Sequence, residues 1–236
     1  MKKRIGFGIL IIGVLAVFFV TRTKMPEYSP ERDYIDMEAQ ILVAFILAKD
    51  SSTIQLPEGH FLFSQSLSLD AKKHITIKGM GMDKTILSFK GQTQGAEGIK
   101  VTNSENITIE DLAVEDAAGD NIKVSDTDTL TLRNIRSAWT GEVSTENGAY
   151  ALYPVLSTQV LIEGCEAIGS SDAGIYVGQS QNVIIRNNKA YYNVAGIESE
   201  NSSNVEIYGN EAFENTSGLL IFNLPELTVY GKQVKA

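Results

Sequence analysis

Val160-Leu161-Ile162-Glu163-Gly164-Cys165, Val183-Ile184-Ile185-Arg186-Asn187-Asn188 and Val205-Glu206-Ile207-Tyr208-Gly209-Asn210 are three copies of one pattern, a short apolar strand closed four places on by Gly or Asn. Gly, Asn and Asp turn left-handed at low cost, so each copy reads as a strand running into a sharp bend. Working outward, the same pattern starts at Ile75, Ile107, Leu130 and Leu227, with the turn residue at Gly79, Asp111, Asn134 and Gly231. The successive steps are 32, 23, 30, 23, 22 and 22 residues. A repeat near 22 residues that carries short strands and bends predicts stacked coils.

Beyond each bend, the residues Met80, Leu112, Ile135, Cys165, Asn188 and Asn210 alternate back toward the interior. Asn188 and Asn210, one coil apart, are expected to form an amide ladder. A second strand motif follows: Gly98-Ile99-Lys100-Val101, Asn121-Ile122-Lys123-Val124, Ala151-Leu152-Tyr153-Pro154, Gly174-Ile175-Tyr176-Val177, Gly196-Ile197-Glu198-Ser199 and Gly218-Leu219-Leu220-Ile221. Its steps of 23, 30, 23, 22 and 22 reproduce the later steps of the first series in order. The fold expected is all-β, a parallel β-helix whose neighbouring coils pair strand on strand.

The runs Gly148 to Val155, Val160 to Cys165 and, most specifically, Ser171-Asp172-Ala173-Gly174-Ile175-Tyr176-Val177-Gly178-Gln179-Ser180 resemble a family of exported bacterial right-handed parallel β-helix repeat proteins. The resemblance spans roughly Ile35 to Val229. It implies a right-handed solenoid and an extracytoplasmic location, and no established reaction.

At the amino terminus, Lys2, Lys3 and Arg4 precede an uncharged stretch from Ile5 to Val20, the layout of a signal sequence. Bulky Val17, Phe18, Phe19 and Val20 close it with no small-x-small cleavage pattern, which favours an uncleaved signal anchor. The expected organisation is a signal peptide or anchor over 1–24, a linker over 25–36 and a β-helix domain over 37–236, with a capping helix over 37–48. On this reading the protein is periplasmic and touches the inner membrane through residues 5–20. The sequence stops a few residues past Gly231 with a fresh strand, Leu227 to Tyr230, and no capping helix. That pattern is expected of a chain shorter than its relatives or one covered by a partner.

The sequence has 236 residues, 20 basic and 29 acidic, and a formal charge of −9. Five of the basic residues lie at or before Lys24 and no acidic one does, leaving 15 against 29 and a charge of −14 beyond it. Such a surface disfavours nucleic acid, and it repels polyuronates unless a local basic groove intervenes. The lone Cys165 excludes an internal disulfide and stands in the inward column, so it is expected to be a packed thiol.

The long steps place outward insertions around Gly91 to Glu97 and around Trp139 to Asn147. In the second motif, the residue after the inward Ile or Leu must point out, giving the column Lys100, Lys123, Tyr153, Tyr176, Glu198 and Leu220. Asp116, Asp120, Tyr150 and Asp172 stand at the bend entering it. For a polysaccharide lyase or epimerase, Lys123, Tyr153, Asp172 and Tyr176 are the catalytic candidates, since abstracting a proton α to a carboxylate needs a base and a stabilising cation. Asp116 and Asp120, with Asp172, are candidates to hold Ca2+ through oxygen ligands. A hydrolase would instead pair Asp120 with Asp172. In a glycan-binding module, Tyr153, Tyr176 and Trp139 would stack on sugar rings while Asp172 and Glu198 bond hydroxyls, and Trp139, Tyr150 and Glu198 are the substrate-binding candidates. The alternative is a non-catalytic envelope scaffold with a protein partner. An ordinary exposed sheet face with a tyrosine ladder presents the same column.

Overall fold

The computed structural model describes residues 33–227. The segment 1–24, most of the linker and the expected strand after Leu227 lie outside them. Among the described residues, nineteen strands and one helix form a stack of parallel coils.

Two parallel sheets face each other across the core, one of twelve strands and one of seven. The second of these runs through Gln65–Asp70, Gln94–Thr102, Ile122–Ser125, Leu152–Val155, Ala173–Gly178, Ala195–Glu200 and Ser217–Phe222, each one coil from the last. Registers such as Val160↔Val183 and Val183↔Val205 in the first sheet, and Lys100↔Lys123 and Tyr176↔Glu198 in the second, are those the two motifs predict. One rung is thin: Leu152↔Ile175 and Val155↔Gly178 pair around Pro154, which has no N–H to give.

The first sheet folds at the predicted bends. Asp111, Asn134, Gly164, Asn187 and Gly209 have φ of 58°, 49°, 64°, 56° and 66°. Gly79 departs from the column. The chain there turns instead at Gly81, with φ 131°, while Asp111 O would lie 2.2 Å from a Cβ on Gly79. Glycine is thus needed at Gly79 for close approach, and the 32-residue step divides between this turn and the Gln94 region. Met80 consequently leaves the interior and is 53% exposed, although its place in the repeat pointed inward.

Inside, Ile75, Ile107, Leu130, Val160 and Val183 stack above one another with no more than 2% exposure. The expected amide ladder is present. Asn188 Nδ2 donates to Asn210 Oδ1 at 2.9 Å and to Ile162 O at 3.0 Å, while its Oδ1 accepts from Cys165 N at 2.8 Å. Two features were not anticipated. A second ladder joins Asn193 Nδ2 to Asn215 Oδ1 at 3.0 Å, and a hydroxyl ladder climbs the opposite corner. In it, the N–H groups of Thr127, Ser157 and Ser180 donate to Ser157, Ser180 and Ser202 Oγ at 3.3, 3.1 and 3.0 Å. Each satisfies a backbone donor that a corner would otherwise bury without a partner. Cys165 is 1% exposed and burial pushes its thiol up to about 12, which makes it a packing group rather than a nucleophile.

α1, Glu38–Ile46, lies within the expected cap and covers the first coil with Ile41 and Phe45. Glu38 Oε1 accepts from Ser64 N and Oγ at 2.7 and 2.8 Å, which fixes the helix to that coil.

Candidate functional site

The outer face of the second sheet gathers most of the candidate residues. Tyr153 stands over Lys123 in the ladder, and Tyr176 is paired with Glu198. Tyr150, at the corner, brings its ring 4.6 Å from both Tyr153 and Tyr176, whose own centroids are 4.9 Å apart at a nearly perpendicular 88°. These contacts are close enough to hold the three rings as one unit.

Charge surrounds the rings. Lys123 Nζ sits 4.7 Å over the Tyr153 ring and lies 3.7 Å from Asp120 and 3.9 Å from Glu97. Lys100 reaches Glu97 at 3.3 Å. Burial raises the Glu97 carboxyl, but its own backbone amide and the Lys100 and Lys123 charges together hold it below its ordinary value. Asp120 is raised by burial, against the pull of Lys123.

At the other end, Glu198 and Glu200 are 6% and 7% exposed although they point away from the core. Burial first, and then the charges of Asp172 and Glu200, push Glu198 up to about 7. Tyr176 donates its hydroxyl proton to Glu200 Oε2. Burial raises the tyrosine further, and the Glu200 bond and charge add to it. Tyr150 is raised by burial and then by Asp172, and Tyr153 by burial and then by Asp120.

The reach of Tyr176 to Glu200 depends on Gly178. A Cβ there would lie 2.4 Å from Tyr176 Oη and 2.5 Å from Cε1, so the ring occupies the space a side chain would fill. Gly178→Ala is expected to push the ring aside and cost about 1.5–3 kcal/mol, the value of a hydrogen bond to a carboxylate. Tyr176→Phe loses the same bond. Urea unfolding of both variants and their double should therefore give a combined loss smaller than the sum of the two.

Two candidates lie elsewhere. Trp139 was expected in an exposed loop as a platform for sugars, and it is instead 4% exposed and part of the core. Its Nε1 donates to Ala117 O at 3.0 Å, because the Asp128–Ala138 strand delivers it to an inward corner position before the insertion begins. Asp116 also turns from the face, accepting from Thr140 N and Oγ1, both at 2.7 Å. Asp120 accepts from Tyr150 N at 3.3 Å and faces Lys123. Among the described residues no group of three His, Cys, Asp or Glu is arranged to hold a metal ion, and Asp116, turned to Thr140, does not join Asp120 and Asp172 in a calcium cradle. Glu200 and Gly178 are the members of the site that sequence reasoning missed. Their signal was present two places after Glu198 and Tyr176 on the same outward alternation.

Residues 73–234 match the family model described as the right handed beta helix region. No curated protein matches the chain in sequence. Among solved structures, the N-terminal fragment of bacteriophage Phi29 gene product 12 is 16% identical with a TM-score of 0.57, covering 84% of this chain and 43% of that one. The catalytic domain of a GH87 α-1,3-glucanase in complex with tetrasaccharides is 15% identical with a TM-score of 0.51, covering 85% and 40%. Pectin methylesterase from Yersinia enterocolitica is 16% identical with a TM-score of 0.46, covering 81% and 67%. The chain spans less than half the length of the first two, and at these identities the likeness is one of fold. With the coil register and the family match in agreement over the larger part of the sequence, the chain belongs to the right-handed β-helix family.

Proposed function

We propose that the outer face of the second sheet binds a neutral polysaccharide and assists its hydrolysis, with Glu198 as proton donor. The observation that carries this reading is the placement of Glu198, 6% exposed and paired in register with Tyr176 of the three-ring unit, where burial and the charges of Asp172 and Glu200 raise its carboxyl to about 7. Tyr150 and Tyr153, half-buried at the open side, offer ring faces to sugars, and successive rungs roughly 4.8 Å apart give a chain repeated footholds. Asp172, beside Tyr150 and Glu198, is the second carboxylate that hydrolysis needs.

The lyase and epimerase roles fit this geometry less well. Lys123 is engaged by two carboxylates, and Tyr153 and Tyr176 are raised, so neither tyrosine is placed to act as a base near neutrality. Five carboxylates, Glu97, Asp120, Asp172, Glu198 and Glu200, share the face with Lys100 and Lys123. That balance repels polyuronates and tolerates neutral sugars. A similar fold carrying an α-1,3-glucanase bound to tetrasaccharides supports the same substrate class. We read residues 5–20 as the membrane contact of an exported, inner-membrane-anchored protein, on the charge-then-apolar layout of the amino terminus.

The test is a panel of neutral and acidic polysaccharides scored for retention, release of reducing ends and absorbance of unsaturated uronates. Retention on neutral polymers that falls on Tyr150→Ala or Tyr153→Ala, with reducing ends released only below about pH 7, is the expected result. Glu198→Gln should keep retention and abolish release. Unsaturated products, or retention indifferent to both tyrosines, would overturn the reading.

Glu198 also makes a stability prediction. Between the ordinary carboxylate range and about 7, the folded protein keeps a proton that the unfolded chain has lost, so stability falls as pH rises through that window. Above it the full cost of the buried charge is present. Glu198→Gln removes that cost and should stabilise the protein by about 2 kcal/mol above about pH 7, and by little below the carboxylate range, in paired urea titrations.

A further inference from the structure

α1 turns Ile41 and Phe45, 3% and 1% exposed, toward the stack, and leaves Ala39, Gln40, Val43, Ala44, Ile46 and Leu47 on its outer side. Val43, Ile46 and Leu47 are 50%, 70% and 67% exposed, and Ile35 just before the helix is 46% exposed. That outer side carries no charged residue. A solenoid cap ordinarily presents a polar face to water, and an apolar one marks a surface that is covered in use.

One further observation chooses what covers it. The uncharged stretch 5–20 ends twelve residues before the described structure begins at this same end of the solenoid. Twelve residues span at most about 40 Å, so a protein held by that stretch keeps α1 within reach of the bilayer. The rim of the apolar face is mixed in charge, with Asp33 and Asp36 exposed before the helix and Lys49 and Asp50 exposed past it. Lys72 Nζ donates to Ala48 O at 2.7 Å, while the nearby Asp50 is turned to the Lys73 amide at 2.9 Å.

We propose that α1 lies in the membrane interface, with Val43, Ile46 and Leu47 in the acyl boundary and the charged residues that flank the helix, Asp36 and Lys49 among them, at the headgroup level. The proposal rests on the reading of residues 5–20 as a membrane contact. It stands the solenoid on its capped end, so the second-sheet face rises away from the bilayer and remains open to a polymer.

The experiment uses the full chain reconstituted in vesicles of phosphatidylcholine and phosphatidylglycerol, with a polarity-sensitive fluorophore on Leu47→Cys. The buried Cys165 stays unlabelled. Companion probes sit at Thr23→Cys, beside the apolar stretch, and at the exposed Glu206→Cys, toward the other end. Expected are a blue shift at position 47 and quenching by nitroxide lipids several-fold stronger there than at 206. Adding Ile46→Asp, a solvent-facing change compatible with folding, should abolish the difference. Quenching at 23 but water-like emission at 47 overturns the interfacial helix and leaves the anchor standing. Water-like emission at both positions overturns the anchor and the proposal together. A blue shift at 47 without vesicles, accompanied by a doubled mass, means a second copy covers the face and likewise overturns it.

Discussion

Asn188→Ala is expected to destabilise the fold by about 3 kcal/mol, because the amide is 1% exposed and serves two neighbouring coils at once. Its Oδ1 is the acceptor of Cys165 N–H at 2.8 Å, and its Nδ2 bonds Ile162 O and Asn210 Oδ1 at 3.0 and 2.9 Å. Alanine removes all three and leaves a backbone N–H in the core without a partner, a loss of roughly 1–3 kcal/mol by itself. Asn210→Ala removes the acceptor of Asn188 N and Nδ2, both at 2.9 Å, from a half-buried site nearer water, so its cost should be smaller. Urea midpoints with unchanged slopes check both. A loss below about 1 kcal/mol for Asn188→Ala would mean that the bonds are readily replaced and the ladder contributes little.

Gly148→Ala should be equally damaging for a steric reason. A Cβ at Gly148 would fall 1.5 Å from Gly119 O, 2.5 Å from Gly119 C and 2.6 Å from Trp139 Cζ2. Two of these obstacles are backbone, and Gly119 is itself tied by its N–H to Ala96 O at 2.6 Å, so the corner cannot yield by a rotamer change. The chain from Thr140 to Gly148 must shift, and Trp139 with it. The expected cost is about 3 kcal/mol or more, in the class of overpacked cores. Trp139 is the single tryptophan of the sequence and is 4% exposed, so its emission should move to the red in the folded variant. Unchanged emission and an unchanged urea midpoint would show that the corner has room.

The fold was legible because each coil repeats its constraint locally. A strand followed by Asn134, Gly164 or Asn187 states its own bend, and two motifs in the same rhythm fix which side chains share a column. The site was legible to the same depth: alternation alone brought Lys123, Tyr153, Tyr176 and Glu198 to one face. What alternation cannot report is how side chains lean once there. Tyr176 lies along its own strand because Gly178 is empty, and Glu198 is raised because three coils bring Asp172, Glu200 and the rings around it. Trp139 shows a different limit. It is the last residue of regular register before an insertion, and the sequence does not say whether the insertion starts before or after it. Gly79 shows a third, since glycine is used there for close backbone approach and not for a left-handed turn.

Pro154 has a mechanical meaning. Each coil of a solenoid is held only by the coils above and below it, so the stack is no stronger under axial load than its thinnest plane. On the second sheet that plane lies between Leu152–Val155 and Ala173–Gly178, where the pairs Leu152↔Ile175 and Val155↔Gly178 bracket a residue with no N–H. The tyrosine unit spans it, with Tyr150 and Tyr153 below and Tyr176 above. The rings that form the candidate binding surface are therefore also the clasp across the weakest joint of that sheet, and a ligand resting on them bridges both sides.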